Sequence, residues 1–348
     1  MLRRWLWIPL SLGLLAFVIW RTRPWELAGA GLALDPLLLL AVVTLNVAVV
    51  ALWALRSRSL MAGVGHPLGF LSLVPVVSFA NTIGNVTPAS AGEALRALVL
   101  RNRYGVPIAR STAVILVERV WAVGIMAVTA SAAAALAFGG SGSGGGNSSS
   151  SGGGPSPVAA VIVTVSALLA CFLPAVAYRV GLRPGRLLER WLARRKDATA
   201  TRPGRLGRAA GVLVDLDRTV AGLVADPVRA VVFVGSTLLI FVCYALQLAL
   251  LLQMLGSPLP LEGAWAALGL ATVAGVLSAL PFGLGAADAV LSLLLIGLGV
   301  APAVTGATIL LLRATATLPL GVAGALSWAA LGETGQAPHG RPPKAREA

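Results

Sequence analysis

Long apolar runs separated by basic segments dominate the chain. Six of these runs predict full membrane spans, at 5–20, 36–55, 111–137, 158–178, 230–254 and 303–330. An apolar helix of about 20 residues crosses the roughly 30 Å hydrocarbon core of a bilayer, and several runs reach that length. Two further apolar stretches, 68–95 and 263–299, contain interruptions. The pattern predicts an all-α polytopic membrane protein with about six full spans plus two broken-helix hairpins.

The first interrupted stretch is flanked by basic segments at 56–66 and 96–110. Basic loops stay on the cytoplasmic side, so we expect this stretch to enter the membrane and return to the same side. Its interruptions are Pro75, Gly84, Pro88 and Gly92, and those of the second stretch lie at 281–285. Irregular backbone at membrane depth is tolerated where protein or a water-filled cavity surrounds it. Each stretch is therefore predicted to form a re-entrant hairpin of two half-helices.

The second part of the chain repeats the first. The offset grows from 191 to 194 residues, and the matching segments are Asp35-Pro36 with Asp226-Pro227, Trp53-Ala54-Leu55-Arg56 with Tyr244-Ala245-Leu246-Gln247, Gly65-His66-Pro67-Leu68 with Gly256-Ser257-Pro258-Leu259, Pro88-x-x-x-Gly92 with Pro281-x-x-x-Gly285, and Arg119 with Arg313. The competing interpretation is chance similarity between apolar helices. Since the two copies are expected to start on opposite sides of the membrane, we predict two inverted-topology repeats. In such folds the binding site lies near the midplane, between the repeats.

Composition agrees with a membrane location. The chain is 57% hydrophobic and 11% charged, and its mean hydropathy is +0.87, whereas a soluble domain carries roughly 25% charged residues. A net charge of +14 would suggest nucleic acid binding in a soluble protein. Here the basic residues orient the chain in the membrane, and we expect no nucleic acid partner.

These patterns divide the chain into seven segments. They are an N-terminal helix and loop at 1–34, repeat 1 at 35–138, an outer Gly/Ser-rich linker at 139–157, a connecting transmembrane helix at 158–178, a basic cytoplasmic loop at 179–225, repeat 2 at 226–330 and a disordered tail at 331–348. Both termini are expected in the cytoplasm, and the membrane is expected to be the inner, cytoplasmic one. Within the basic loop, 204–225 predicts an amphipathic helix lying on the membrane surface, in contact with anionic headgroups.

Ionisable residues in apolar segments are costly and are candidates for function by default. The half-helices after the two breaks point their amino termini, with unpaired amide groups, at the interruptions. Together with arginines they form a plausible cradle for an anionic group such as phosphate. The candidate substrate-binding residues are Asn85, Thr87, Pro88, Gly92, Glu93, Arg96, Glu118, Arg119, Pro281, Gly283, Gly285, Asp288 and Arg313.

Structural roles compete with this interpretation. Arginine–carboxylate pairs often only hold membrane helices together, and Glu93 with Arg96 fits a simple surface pair. Asn85 and Thr87 are equally suited to capping the half-helices. The two histidines are isolated and both cysteines lie in apolar runs, so we expect no metal site, no disulfide and no cofactor.

The stretch from Asn85 to Arg96, followed by Glu118-Arg119, resembles the transmembrane flippase-like family of lysylphosphatidylglycerol synthases, whose members read Asn-x-x-Pro-x-x-x-Gly-Glu-x-x-Arg and then Glu-Arg. The later stretch from Leu280 to Asp288, with Arg313, is similar to the second signature of that family. The chain departs from the family pattern at Ser90, Phe282 and Asp288, where a basic residue, a glycine and a glutamate are common. The resemblance implies a stand-alone member, without the cytosolic aminoacyl-transferase domain, that moves a lipid between leaflets.

Three functions are compatible with these features. The first is a non-enzymatic lipid translocase that moves an anionic or polyprenyl-linked lipid at a midplane site. The second is an integral membrane transferase or hydrolase acting on a lipid phosphate, with Glu118 or Asp288 as general base. The third is a non-catalytic membrane partner of a cell-envelope glycosyltransferase. We expect the first, with membrane lipids as partners.

Overall fold

The computed structural model describes residues 7–30, 35–86, 91–139, 205–278 and 285–333. In these ranges every regular element is a helix. A 3-10 helix spans Pro24–Ala30, and the α-helices are α1 (Trp7–Thr22), α2 (Pro36–Gly63), α3 (Phe70–Val86), α4 (Ala91–Tyr104), α5 (Ile108–Gly139), α6 (Arg205–Ala225), α7 (Pro227–Met254), α8 (Leu261–Leu277), α9 (Ala286–Gly297) and α10 (Pro302–Glu333).

Four helices, α2, α5, α7 and α10, are long and apolar enough to cross a membrane. They correspond to four of the six predicted spans and confirm the all-helical membrane class. Helix α1, with 16 residues, covers most of the predicted first span, and the first two positions of that span, 5 and 6, lie outside the described residues. The predicted span at 158–178 lies outside the described residues.

Two arginines expected in cytoplasmic loops lie instead in buried helical positions. Helix α2 does not end at residue 55 but continues to Gly63, and Arg56 is buried within it. The helix continues because Leu60 and Met61 are completely buried in the core. Arg96, on α4, is also buried. Both side chains therefore belong to the interior of the bundle.

Helices α2 and α7 share the same N-terminal cap and the same glycine turn after the helix. The Oδ1 atom of Asp35 accepts a hydrogen bond from the Leu37 amide at 2.8 Å, and that of Asp226 accepts one from the Val228 amide at 3.0 Å. In each helix a proline follows the capping aspartate, at the position where its missing N–H is not needed. Shortly after each helix a glycine adopts a positive φ, at Gly65 (78°) and Gly256 (73°), which reverses the chain without a Cβ penalty.

The helices form two series that match in order and nearly in length. Helices α2 and α7 both have 28 residues, α3 and α8 both have 17, α4 and α9 have 14 and 12, and α5 and α10 both have 32. Each series follows the chain order of one predicted repeat.

The matched helices α2 and α7 pack against each other in opposite directions. Near the start of α2, Val42 clusters with Leu251 near the end of α7, whereas Leu60 near the end of α2 clusters with Phe233 near the start of α7. Antiparallel contact of equivalent helices is the arrangement that an inverted repeat produces. The opposite orientation of the two series in a bilayer stays a prediction.

Both interrupted stretches form pairs of packed helices, α3 with α4 and α8 with α9. The tips of the predicted hairpins, at 87–90 and 279–284, lie outside the described residues, and the re-entrant path stays a prediction. Pro75 and Gly84 do not interrupt the first stretch as expected, because α3 runs continuously through both. A proline inside a helix costs a backbone hydrogen bond but does not always end the helix.

Helix α6 forms as predicted, but its apolar face is covered by protein rather than by lipid. Val220 and Leu223 are buried among residues of α2, α5 and α7. Gly222 lies so close to Gly63 of α2 that an added Cβ would overlap the Gly63 carbonyl. The carboxylate of Asp215 accepts a hydrogen bond from Arg218 at 3.0 Å. The amphipathic pattern therefore reflects docking onto the ends of the long helices.

Candidate functional site

A buried ion pair joins α4 to α5. The Nη1 of Arg96 donates to Oε2 of Glu118 at 2.6 Å, and its Nη2 donates to Oε1 at 3.1 Å. The Ser57 hydroxyl on α2 donates to the same Oε1 at 2.7 Å and lies 2.6 Å from Nη2 of Arg96. The three side chains are buried. Two parallel hydrogen bonds between a guanidinium and a carboxylate fix the relative position of the helices that carry them.

Arg56 lies beside this pair but is not bonded to it. Its side chain interacts electrostatically with Glu118, Arg96, Arg119 and Tyr244, and its buried Nε atom has no hydrogen-bond partner. Both oxygens of Glu118 already accept hydrogen bonds from Arg96 and Ser57. Arg56 therefore places a further positive charge next to an ion pair that is complete without it.

A second ion pair joins the same two helices. Arg119 on α5 contacts Glu93, in the first turn of α4. The Arg119 side chain is 60% exposed and that of Glu93 is 26% exposed. Glu93 and Arg96 thus do not form the surface pair with each other that their spacing suggested, because each finds an opposite charge on α5. Consecutive residues of a helix point about 100° apart, so Glu118 and Arg119 engage different partners.

The second helix series carries a matching ion pair. Nη2 of Arg313, on α10, donates to Oδ1 of Asp288 at 2.8 Å, and Nε donates to the same atom at 3.1 Å. Asp288 lies in the first turn of α9, and its Oδ2 accepts a hydrogen bond from the Gly285 amide at 2.9 Å. Gly285 has φ 82°, a conformation that favours glycine. In both series a carboxylate at the start of the helix after the break pairs with an arginine inside the last long helix.

The structure sorts the predicted site residues into two groups. Glu93, Arg96, Glu118 and Arg119 lie together between α4 and α5, and Gly92 is buried in the first turn of α4. The second group lies between α9 and α10 and consists of Gly285, Asp288 and Arg313. Among the remaining predictions, the backbone of Asn85 lies in the last turn of α3, while Thr87, Pro88, Pro281 and Gly283 lie outside the described residues.

Sequence reasoning missed Arg56, Ser57 and Gln247. Arg56 and Gln247 are equivalent at the offset of 191 residues; both are buried, and both have side-chain atoms without a hydrogen-bond partner. A polar residue at the same position of both repeats was a usable signal. It was obscured because the basic neighbour Arg58 made the segment resemble a loop.

Guanidinium groups suit anions rather than cations. In the part of the chain that the structure describes, no group of three or more histidine, cysteine, aspartate or glutamate residues is arranged to hold a metal ion. The arginines of the first group outnumber its carboxylates, with Arg56, Arg96 and Arg119 facing Glu93 and Glu118. The group therefore carries a net positive charge and is suited to an oxyanion.

Comparison with known proteins agrees with the motifs. A sequence model of the lysylphosphatidylglycerol synthase TM region matches residues 5–324 of the chain. A search of curated proteins gives no significant match. The matched region includes every described residue of the two ion-pair groups and of the docked helix α6, and it covers both helix series except for the end of α10 after residue 324. The chain therefore belongs to the family of the lysylphosphatidylglycerol synthase transmembrane region.

Proposed function

We propose that the protein is a lipid translocase, which moves a lipid with an anionic or polyprenyl-linked headgroup between the leaflets of the cytoplasmic membrane. The observation that carries the proposal is a similar ion pair in each helix series, Glu93 with Arg119 and Asp288 with Arg313. The two arginines are equivalent in the repeat, and each carboxylate lies in the first turn of the helix after the break. Ionisable residues within a membrane are costly and mark substrate pathways. Their presence in both series favours a shared role in transport.

The pairs also suggest how a headgroup is handled. Each one links a short helix that follows a break to a long helix that crosses the bundle. An anionic headgroup competes with the carboxylate for the arginine, since guanidinium binds phosphate and carboxylate in the same bidentate way. Binding then loosens the link between the two helices. A movement of one helix series against the other follows naturally from inverted repeats.

The state of the carboxylates favours transport over hydrolysis or group transfer. A general base needs a carboxylate oxygen that is free to accept a proton from the substrate. Both oxygens of Glu118 accept hydrogen bonds from Arg96 and Ser57, and both oxygens of Asp288 accept hydrogen bonds from Arg313 and Gly285. We therefore propose a non-enzymatic role, with the basic segments on the cytoplasmic side.

A leaflet-exchange assay tests the proposal. The full chain is reconstituted into liposomes with fluorescent anionic, cationic or polyprenyl-phosphate lipids, and the fraction accessible to an impermeant quencher is followed with time. We expect faster exchange of one anionic class and loss of that acceleration in the double variant Arg119→Gln/Arg313→Gln. The matched control is Arg58→Gln, which removes the charge of an exposed residue and is expected to exchange lipid at the wild-type rate.

Two results would contradict the proposal in different ways. Wild-type exchange by a folded double variant would make the ion pairs structural and refute their role in transport. No acceleration for any of the three lipid classes by folded wild-type protein would contradict the translocase itself. The second result would favour the role of a membrane partner for a cell-envelope glycosyltransferase, which is tested by co-purification with such an enzyme.

A further inference from the structure

In the part of the chain that the structure describes, Arg56 has no counter-ion of its own. The residue is 9% exposed, and its Nε atom is buried without a hydrogen-bond partner. Within the described residues its side chain takes part in no ion pair, although Glu118 is within electrostatic range. A buried charge without a bonded partner is expensive, so such groups in folded proteins are normally satisfied by a side chain, an ion or a ligand.

The neighbouring carboxylates are already engaged. Glu118 is held by Arg96 and Ser57, and Glu93 is in contact with Arg119. The remaining ionisable group that interacts with Arg56 is Tyr244 on α7, a phenol that is neutral in ordinary conditions. Among the described residues, three guanidinium groups stand against two carboxylates, which leaves one positive charge unbalanced, and the Arg56 guanidinium is the one without an ion-pair partner.

The position of Arg56 brings this charge within reach of a headgroup. Arg56 lies seven residues before the end of α2 at Gly63, about 10 Å along the helix axis, inside a segment long and apolar enough to span the membrane. The predicted topology places that end of α2 at the cytoplasmic face. A charge at this depth is below the surface but accessible to a lipid whose headgroup enters the bundle.

The equivalent position in the second helix series is uncharged. Gln247 is buried, and neither Nε2 nor Oε1 of its amide has a hydrogen-bond partner. The ion pair of the second series, Asp288 with Arg313, is balanced. The excess charge is therefore a property of the first series alone, and glutamine is a side chain that the fold already accommodates at this position.

We propose that Arg56, together with Arg96 and Arg119, forms a binding site for one phosphate-type oxyanion. A planar guanidinium matches the geometry of a phosphate group, and a bound phosphate supplies the negative charge that the three arginines lack. The site deepens the proposed translocase and rests on it for its biological meaning, because a lipid phosphate is the oxyanion that a translocase carries. Binding itself does not depend on transport and is tested separately.

The test measures binding to the full chain in a phosphate-free detergent such as dodecyl maltoside. The probes are dioctanoyl phosphatidic acid, dioctanoyl glycerol, which lacks the phosphate, and inorganic phosphate. Bound probe is counted by native mass spectrometry, and affinity is obtained from the ligand-dependent shift in the thermal midpoint. We expect the phosphatidic acid to bind and the diacylglycerol not to bind at the same concentrations.

The variants locate the site. Arg56→Gln, which copies the residue of the second series, is expected to weaken phosphatidic acid binding on the order of 10- to 100-fold, the range for a lost charge-assisted hydrogen bond. Arg58→Gln, an exposed neighbour on the same helix, is expected to bind within about twofold of wild type. Should Arg56→Gln fail to fold, Arg56→Lys keeps the charge, loses the planar group and is expected to bind with intermediate affinity.

The outcomes distinguish a lipid headgroup from a soluble anion as the occupant, and they test the binding site separately from the translocase. Competition by inorganic phosphate supports the site and identifies a soluble anion as an occupant, whereas binding of the lipid without such competition supports a headgroup. Equal affinity of the wild type and folded Arg56→Gln overturns the site, as does the absence of binding by any phosphate probe. Arg56-dependent binding without leaflet exchange would refute the translocase and keep the site. Leaflet exchange by a protein whose phosphate affinity is unchanged in folded Arg56→Gln would refute the site and keep the translocase.

Discussion

Glu118 holds the interior of the first helix series together. Its carboxylate connects three helices, because it accepts hydrogen bonds from Arg96 on α4 and Ser57 on α2 while itself lying on α5. The motif Glu118-Arg119 was recognisable in the sequence, and in the structure its two side chains bind different partners, Arg96 and Glu93. Their partners were not predictable. Glu93 and Arg96 are close enough on one helix to pair with each other, and only the position of α5 decides that they do not.

Neutralising Glu118 is therefore expected to be costly. In Glu118→Gln, Arg96 and Arg56 lose the nearby negative charge, and breaking a buried ion pair from one side costs about 3–5 kcal/mol. The measurement is the thermal midpoint of purified protein in detergent, followed by size-exclusion monodispersity. Glu93→Gln is the control, since its partly exposed ion pair is worth about 1 kcal/mol or less. An equal decrease of the thermal midpoint in both variants would show that the buried Glu118 pair stabilises the protein no more than the partly exposed Glu93 pair.

At the scale of elements, the sequence predicted which segments are helical better than it predicted what covers them. The aspartate–proline starts of α2 and α7 are local signals, and the structure has a capped helix at each. Helix α6 also appears where its amphipathic pattern placed it. The pattern defines an apolar face but does not distinguish lipid from protein as its neighbour. The sequence also does not show whether a basic residue lies in a loop or in a buried helix. The basic residues after position 55 were therefore interpreted as the end of the span, although α2 continues to Gly63.

The docking of α6 predicts opposite effects for two glycine substitutions in one helix. In Gly222→Ala the new Cβ meets the backbone of Gly63, so α6 must move away from α2 and stability is expected to fall by about 1–3 kcal/mol. In Gly211→Ala nothing lies within 4 Å of the new Cβ, and the helix gains about 0.5–1 kcal/mol. Thermal midpoints of both variants in detergent check this. A stabilised Gly222→Ala would mean that α6 is not docked in this way.

At the scale of the molecule, the described residues contain two matched helix series that meet along antiparallel α2 and α7. The sequence predicted a repeat because turn residues recur at nearly constant offsets. The contacts between the series were not visible, since they join apolar residues that carry no distinguishing pattern. The buried charge was missed for a related reason: a single arginine near the end of an apolar run is typical of a cytoplasmic boundary, and only tertiary packing reveals that Arg56 points inward.

Opposite orientation of the two series is tested by labelling equivalent connectors. Pro67 and Pro258 are exposed and correspond at the offset of 191 residues. In a background with Cys171→Ala and Cys243→Ala, the variants Pro67→Cys and Pro258→Cys are treated in intact cells with an impermeant maleimide. We expect labelling of Pro258→Cys from outside and of Pro67→Cys only after the membrane is permeabilised. Labelling of both from the same side would refute the inverted repeat.

The unbalanced charge beside Glu118 also exposes the protein to membrane voltage. Moving one elementary charge through the whole field costs about 2.3 kcal/mol per 100 mV, and a partial displacement costs a proportional share. An empty site with an excess guanidinium feels this force, while a site that holds one oxyanion charge is electrically balanced. If the protein is the proposed translocase and the site moves through the field, membrane potential acts on the return of the empty protein and leaves the loaded protein almost unaffected. In that proposed cycle, the energised state of the cell sets the rate without a coupling ion being bound.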